Sequence, residues 1–196
     1  MHKTATSGKL LGLVLCGGQS KRMGTDKGMI QGKAESWAQE TAAKLINTGL
    51  GAVYSINTLQ IITYSAEISS TLLICDSLEL PGPLNGILSA HQRYPDTDLF
   101  VLACDMPLMN VATLNRLAEA YKNKPKYGVY FYEKKGFKEP LCSIFRKETL
   151  ASLLQAYISA ELTQYSLQKI LSRLPYLALE MVDTLAFSNI NSAEEL

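Results

Sequence analysis

Blocks of apolar and polar positions along this chain announce its elements before any single residue does. Leu10 to Cys16 (LLGLVLC) is an unbroken apolar run halted by Gly17 and Gly18, the pattern of a parallel strand covered on both faces. From Ser36 to Asn47, Trp37, Ala38, Ala42, Leu45 and Ile46 recur at helical spacing, and Gly49 supplies a stop. AVYSIN reads as a second strand, the poorly patterned stretch from Thr58 to Ser70 as a turn or two of helix, and TLLIC as a third strand. ELPGPLNG, with its two prolines and two glycines, is predicted to be loop throughout, and GILSAHQRY after it turns Ile87, Leu88 and Tyr94 onto one helical face. DLFVLAC (Asp98 to Cys104) is the clearest buried strand, closed by Asp105, Met106 and Pro107. Val111, Leu114, Leu117, Ala118 and Tyr121 then form a helical stripe with Asn110 as its N-cap.

After Pro125 the pattern changes. YGVYFYE and PLCSIF flank EKKGFKE and predict an antiparallel hairpin or insertion. Leu150, Leu153, Leu154, Tyr157 and Ile158 make another helical face. Ser166 caps a helix carrying Leu167, Ile170, Leu171 and Leu174 that ends at Pro175, and YLALEMV follows as an edge strand. Alternating β and α elements at this spacing predict an α/β three-layer sandwich with a mostly parallel sheet and an antiparallel insertion. Ligands of such sheets bind outside the carboxyl ends of the strands.

The length, 196 residues, favours one compact domain, read as residues 10–196 behind a flexible extension, residues 1–9. Hydrophobic residues at 47%, charged residues at 19% and a net charge of +1 exclude a disordered chain and a broad field for nucleic acid. No run has signal-peptide or membrane-spanning length, so a cytoplasmic protein without membrane contact is expected. The cysteines, Cys16, Cys75, Cys104 and Cys142, lack metal-binding spacing and read as reduced thiols in or beside strands.

Candidate chemistry lies in the loops after strands one, three and four. In the first, Gly17 and Gly18 let backbone approach a ligand closely and Gly24 permits a further turn, while Ser20 adds a hydroxyl. Arg22 and Lys27 can neutralise a polyphosphate, the one as a planar fork and the other as a point charge. This loop is neither GxxxxGK[ST] nor GxGxxG, and a basic glycine-rich turn taken alone is as often a plain solvated loop. Asp105 stands just past a buried strand, where Mg²⁺ is held by one or two carboxylates plus substrate phosphates, although turn aspartates are common. Asp76 shares that ambiguity. Asn189 and Asn191 in SNINS offer amide oxygens, with turn formation as the default.

Read in order, LVLCGGQSKRMGTDKG, DSLELPGPLNG, LACDMPLM, KEPLCSIF and NINSAEEL resemble the motifs of molybdenum cofactor guanylyltransferases, a family of the nucleotidyltransferase superfamily. The likeness runs from about Leu11 to the end of the chain, and the first motif, LxGGxSxRMGxDK in form, is its most specific part. The resemblance implies a Rossmann-like fold of the nucleotide-diphospho-sugar transferase type. By position it implies that Leu15, Cys16, Gly17 and Gly18 approach a guanine nucleotide, with Lys27 on its phosphates and Arg22 beside it. Asn57 and Asp76 match further nucleotide contacts, and Gly82 to Gly86 match a segment bordering the nucleotide. Asp105 matches a magnesium-binding aspartate, with Asn189 and Asn191 closing the metal site. Cys16 stands where alanine is usual, and the chain lacks the arginine often found just after the Asn57 position.

The implied reaction is attack by the terminal phosphate of molybdopterin on the α-phosphorus of GTP, with Mg²⁺ as cofactor and pyrophosphate as product. A phosphate monoester, with a second pKa of about 6, needs no general base, in keeping with a sequence whose only histidines are His2 and His91. A molybdoenzyme or cofactor-delivery protein is the partner this chemistry implies. The rival readings are a transferase of the same fold that uses CTP or a sugar phosphate, and a GTP-binding adaptor without turnover.

Overall fold

The computed structural model describes residues 9–17 and 26–190. Within them the chain forms a seven-stranded sheet in the order β3-β2-β1-β4-β6-β5-β7. Its strands are β1 (Lys9–Leu15), β2 (Gly51–Ile56), β3 (Leu73–Cys75), β4 (Thr97–Ala103), β5 (Val129–Lys134), β6 (Phe137–Phe145) and β7 (Tyr176–Glu180). β1 to β4 are mutually parallel, whereas β6 runs antiparallel to both β4 and β5. β7 joins β5 in parallel and closes that edge, as its sequence predicted. Of the expected N-terminal extension only Lys9 is described, and it opens β1.

Helices cover both faces. On one, α1 (Trp37–Ile46), α2 (Ile61–Ser65) and α4 (Val111–Asn123) bury Leu45, Tyr64, Leu117 and Tyr121 against the sheet. On the other, α3 (Pro83–Arg93), α5 (Lys147–Ile158) and α6 (Leu167–Leu171) contribute Leu84, Ile87, Leu150 and Ile170. β4 shows why its apolar run is continuous: Phe100 and Leu102 enter the first core, Leu99 and Val101 the second, and all seven of its residues are buried. Each such Leu or Phe contributes about 1.5–3 kcal/mol when fully buried. Ile46 and Ile158, assigned to helical faces from their spacing, are exposed because each is the last residue of its helix.

One expectation fails. PLNG is not loop but the first turn of α3, which begins at Pro83. Proline suits that position because its fixed φ is helical and its missing N–H is one that a first turn leaves unpaired anyway. Gly86 sits in the helix because a Cβ there would fall 2.1 Å from Ser55 Oγ, so the glycine permits α3 to lie close on β2. Ser166 does precede a helix, but α6 ends at Leu171, short of Leu174.

β6 carries an irregularity that bears on the site. Phe131 pairs with Ser143 and its neighbour Tyr132 with Glu139, leaving Pro140, Leu141 and Cys142 without partners on β5. Pro140 has no amide to give to a ladder. Ser143 Oγ donates to the Pro140 carbonyl at 2.6 Å, and the Leu141 amide to Glu139 Oε1 at 3.0 Å. Such bulges re-aim side chains and gather near active sites.

Candidate active site

The chain reverses direction across the sheet between β1 and β4: β1 leads outward to β2 and β3, and the next strand returns to the other side of β1. A crevice at such a switch point is where ligands bind in open parallel sheets. Here a cleft of about 640 Å³ opens at the carboxyl edge, lined by Leu15, Gly17, Ser55, Asn57, Asp76 and Gly82 among others. That volume lies in the range of small-molecule sites. A Cβ on Gly17 would stand 3.5 Å from Asp76 Oδ2, so the bare glycine keeps the floor open beside the carboxylate. Burial raises the Asp76 pKa, and the Ser55 hydroxyl, donating to Oδ1 at 3.3 Å, opposes that rise. Asn57 caps the short helix Thr58–Gln60 by accepting from the Leu59 amide at 2.9 Å.

Along the same edge lies an ion pair. Lys27 Nζ donates to Asp105 Oδ2 at 3.2 Å, with both side chains about one-fifth exposed, while Asp105 Oδ1 is buried without a hydrogen-bond partner among the described residues. A buried carboxylate oxygen left without a donor is costly. It fits a divalent cation, which takes oxygen ligands and is completed by substrate phosphates. No cluster of three or more His, Cys, Asp or Glu suited to a metal exists among the described residues, so a cation there would complete its shell with other oxygen donors, substrate phosphates among them.

The surroundings hold this pair in place. Asp26 accepts from the Gly28 amide at 3.0 Å, from Tyr64 Oη at 3.1 Å and from Gln60 Nε2, which also donates to the Cys16 carbonyl at 3.0 Å. These bonds tie the start of the Lys27–Met29 turn to the end of β1. Gly28 must lack a side chain, because a Cβ would lie 2.0 Å from Tyr64 Oη. Lys44 Nζ donates to the Pro107 carbonyl at 2.7 Å, and the Ile190 amide to the Asp105 carbonyl at 3.1 Å. Burial lowers the Lys44 pKa.

The structure therefore brings Leu15, Gly17, Asn57 and Asp76 to the cleft and joins Lys27 to Asp105. Asn189 is exposed, one residue before the Ile190 contact to Asp105. Cys16 does not line the cleft: it is buried in the first core, and its amide and carbonyl are bonded to Ser55 and Gln60. Gly18, Arg22 and Asn191 lie outside the described residues. Sequence reading missed Asp26, Gln60, Tyr64, Lys44 and Glu139. Only the Asn57-x-x-Gln60 capping box gave a local signal, one residue accepting from the other end of a turn. Glu139 stood inside the KEPLCSIF motif with no role attached. It is 5% exposed, and its pKa is pushed up to about 7 by burial, against the lowering effect of the Leu141 amide and with a smaller rise from the negative charge of Asp105. All four cysteines are free, and no helix among the described residues is long and apolar enough to cross a membrane.

Known proteins resemble this chain in sequence and in fold. Residues 12–177 match the family described as the MobA-like NTP transferase domain. A molybdenum cofactor guanylyltransferase from Pseudomonas putida is 32% identical, the match covering 94% of each chain. A molybdenum cofactor biosynthesis bifunctional protein from Synechocystis is 32% identical over 69% of this chain, which spans only 39% of that longer protein. Among solved structures, molybdopterin-guanine dinucleotide biosynthesis protein A from Archaeoglobus fulgidus has a TM-score of 0.75 at 20% identity, covering 94% of this chain and 93% of its own. A manganese complex of Rv0371c from Mycobacterium tuberculosis has a TM-score of 0.63 at 13% identity, covering 88% of each chain. At such identities these two attest the fold alone. The profile match over most of the chain, together with the Pseudomonas relative, decides the family: the chain is a nucleotidyltransferase belonging to the MobA-like NTP transferases, among the molybdenum cofactor guanylyltransferases.

Proposed function

We propose that the chain transfers GMP from GTP to the terminal phosphate of molybdenum-bearing molybdopterin, yielding the guanine dinucleotide cofactor and pyrophosphate, with Mg²⁺ as its cation. The observation that carries this reading is Asp105 just past the carboxyl end of β4, one oxygen on Lys27 and the other buried without a partner among the described residues. The name of the Pseudomonas relative supports the guanylyl and cofactor assignments, and the manganese complex of a protein of the same fold supports a divalent cation.

In this reading Leu15, Gly17, Gly18, Asn57 and Asp76 hold the nucleoside, and Cys16 serves by fixing the loop backbone through its bond to Gln60. Lys27 and Arg22 neutralise charge that builds on the departing pyrophosphate, an effect worth most in a partly dry cleft. Asp105 would hold Mg²⁺ with help from Asn189 and Asn191, and the bound cation would supply Lewis-acid stabilisation of the phosphates. The attacking phosphate is already anionic, so no residue of the chain has to remove a proton. The product would pass to a molybdoenzyme or a cofactor-delivery protein.

The deciding experiment supplies purified protein and Mg²⁺ with GTP, CTP, UTP or ATP, with and without molybdopterin, and measures pyrophosphate. Release that needs both GTP and the pterin is expected. Release with CTP, or only with a sugar phosphate, transfers the assignment to another acceptor or base, and binding without release makes the protein an adaptor.

A further inference from the structure

We propose that Glu139 supplies a second carboxylate to the cation site of Asp105, carried there by the bulge in β6. This rests on the cation reading given above. Leu102 of β4 pairs with Cys142 of β6, so the bulged residues and Glu139 before them run beside the end of β4 that leads into Asp105. Without the bulge, a regular ladder would pair Tyr132 with Cys142; instead Glu139 takes that place opposite Tyr132. Continued past the Leu102–Cys142 pair, the antiparallel register of β4 and β6 would set Glu139 opposite Asp105.

The electrostatics at this place are unusual for a structural glutamate. Glu139 is nearly sequestered from solvent, feels the charge of Asp105, and forms no ion pair with Lys or Arg among the described residues. Its side chain accepts a hydrogen bond from the Leu141 amide at Oε1, a bond that a glutamine carbonyl would accept equally well. A carboxyl needed only for that bond has no use for its charge, and burying the charge beside a like charge is penalised. A divalent cation on Asp105 Oδ1 would reverse the sign of that penalty, turning two mutually repelling carboxylates into a seat for two positive charges. The Lys27 ammonium meets Asp105 at Oδ2, and Oδ1 is buried with no hydrogen-bond partner among the described residues. Mg²⁺ is commonly held by one or two carboxylates with waters and phosphates completing the shell, so a pair suffices where no larger cluster is gathered.

The test is Mn²⁺ binding to the full chain without nucleotide and then with GTP, followed by electron paramagnetic resonance, for the natural protein, Glu139→Gln and Asp105→Asn. Glu139→Gln is expected to weaken Mn²⁺ about 10- to 100-fold while melting at the same temperature or higher, since it keeps the Leu141 bond and removes a buried charge. Asp105→Asn is expected to lose binding altogether. Natural affinity in Glu139→Gln alongside lost affinity in Asp105→Asn overturns the role of Glu139 and leaves the cation reading standing. Natural affinity in both variants overturns both. Should the glutamine variant not fold, Glu139→Met, also uncharged, is titrated in its place against the same two outcomes.

Discussion

β4 has an aspartate at each end, and the two are treated in opposite ways. At the amino end Asp98 is saturated: Oδ2 accepts from Tyr121 Oη at 2.5 Å and from Arg146 at 3.4 Å, and Oδ1 from the Lys147 amide at 2.8 Å. The Arg146 guanidinium also lies over the Tyr121 ring, 4.5 Å from its centroid. At the carboxyl end Asp105 has Lys27 on one oxygen and no partner on the other among the described residues. One carboxylate fastens β4 to α4 and α5. The other, equally close to the buried strand, is left to bind something. Saturation separates the structural charge from the functional one where sequence context does not, since both flank the same apolar run.

The contrast can be broken at its strongest point by Asp98→Ala. Removing one partner of a buried ion pair strands the other, and a loss of about 3–5 kcal/mol in urea unfolding is expected, with pyrophosphate release per folded molecule retained. Equal loss of turnover at fixed folded fraction would erase the distinction. Asp105→Asn should do the reverse: turnover falls by about a hundred- to a thousandfold, and the melting temperature stays or rises because a carboxylate lacking a full set of donors is removed. A folded, active Asp105→Asn would end its functional assignment.

Gly28→Ala probes the frame between the two ends. Its Cβ would strike Tyr64 Oη and disturb the Asp26 network, so about 1–3 kcal/mol of stability should go, together with a raised KM for GTP in the pyrophosphate assay. An unchanged KM would detach Lys27 placement from that network.

His91 sharpens the criterion itself, because its Nδ1 is also buried without a partner, yet it lies near the C-terminal end of α3, outside the cleft. Burial lowers its pKa below 6.5, with Asp96 opposing. The unfolded chain then binds more protons in mild acid, so stability from this group is complete above pH 6.5 and is lost as pH falls from there through the folded value. His91→Gln should flatten that slope in pH-dependent unfolding and leave turnover untouched. A fall in turnover would show that an unpaired buried atom marks function even away from the strand ends.

Much of this was legible in the chain. The strand at DLFVLAC needed only its unbroken apolar run, and the helix after Asn110 only its cap and stripe. The antiparallel hairpin followed from β-branched and aromatic residues on either side of a turn. PLNG misled because proline and glycine, turn residues by local rule, are here placed by a first-turn preference and by contact with Ser55 on another strand. Cys16 shows another limit of the sequence. Position in a loop motif says nothing of which side of the sheet a residue faces, and its backbone bonds run to Ser55 and Gln60, which lie far along the chain.

What the sequence determined alone was the series of elements, the doubly covered sheet and the family, because apolar period and contiguous motif are local properties of the chain. What tertiary structure decided was how each charge is met. Lys27 reaches Asp105 across 78 positions of sequence, and Glu139 comes near the same carboxylate only because β6 runs antiparallel beside β4 and bulges there. Whether a carboxyl is saturated, as at Asp98, or left open, as at Asp105, depends on donors from distant segments, and no period or motif counts those.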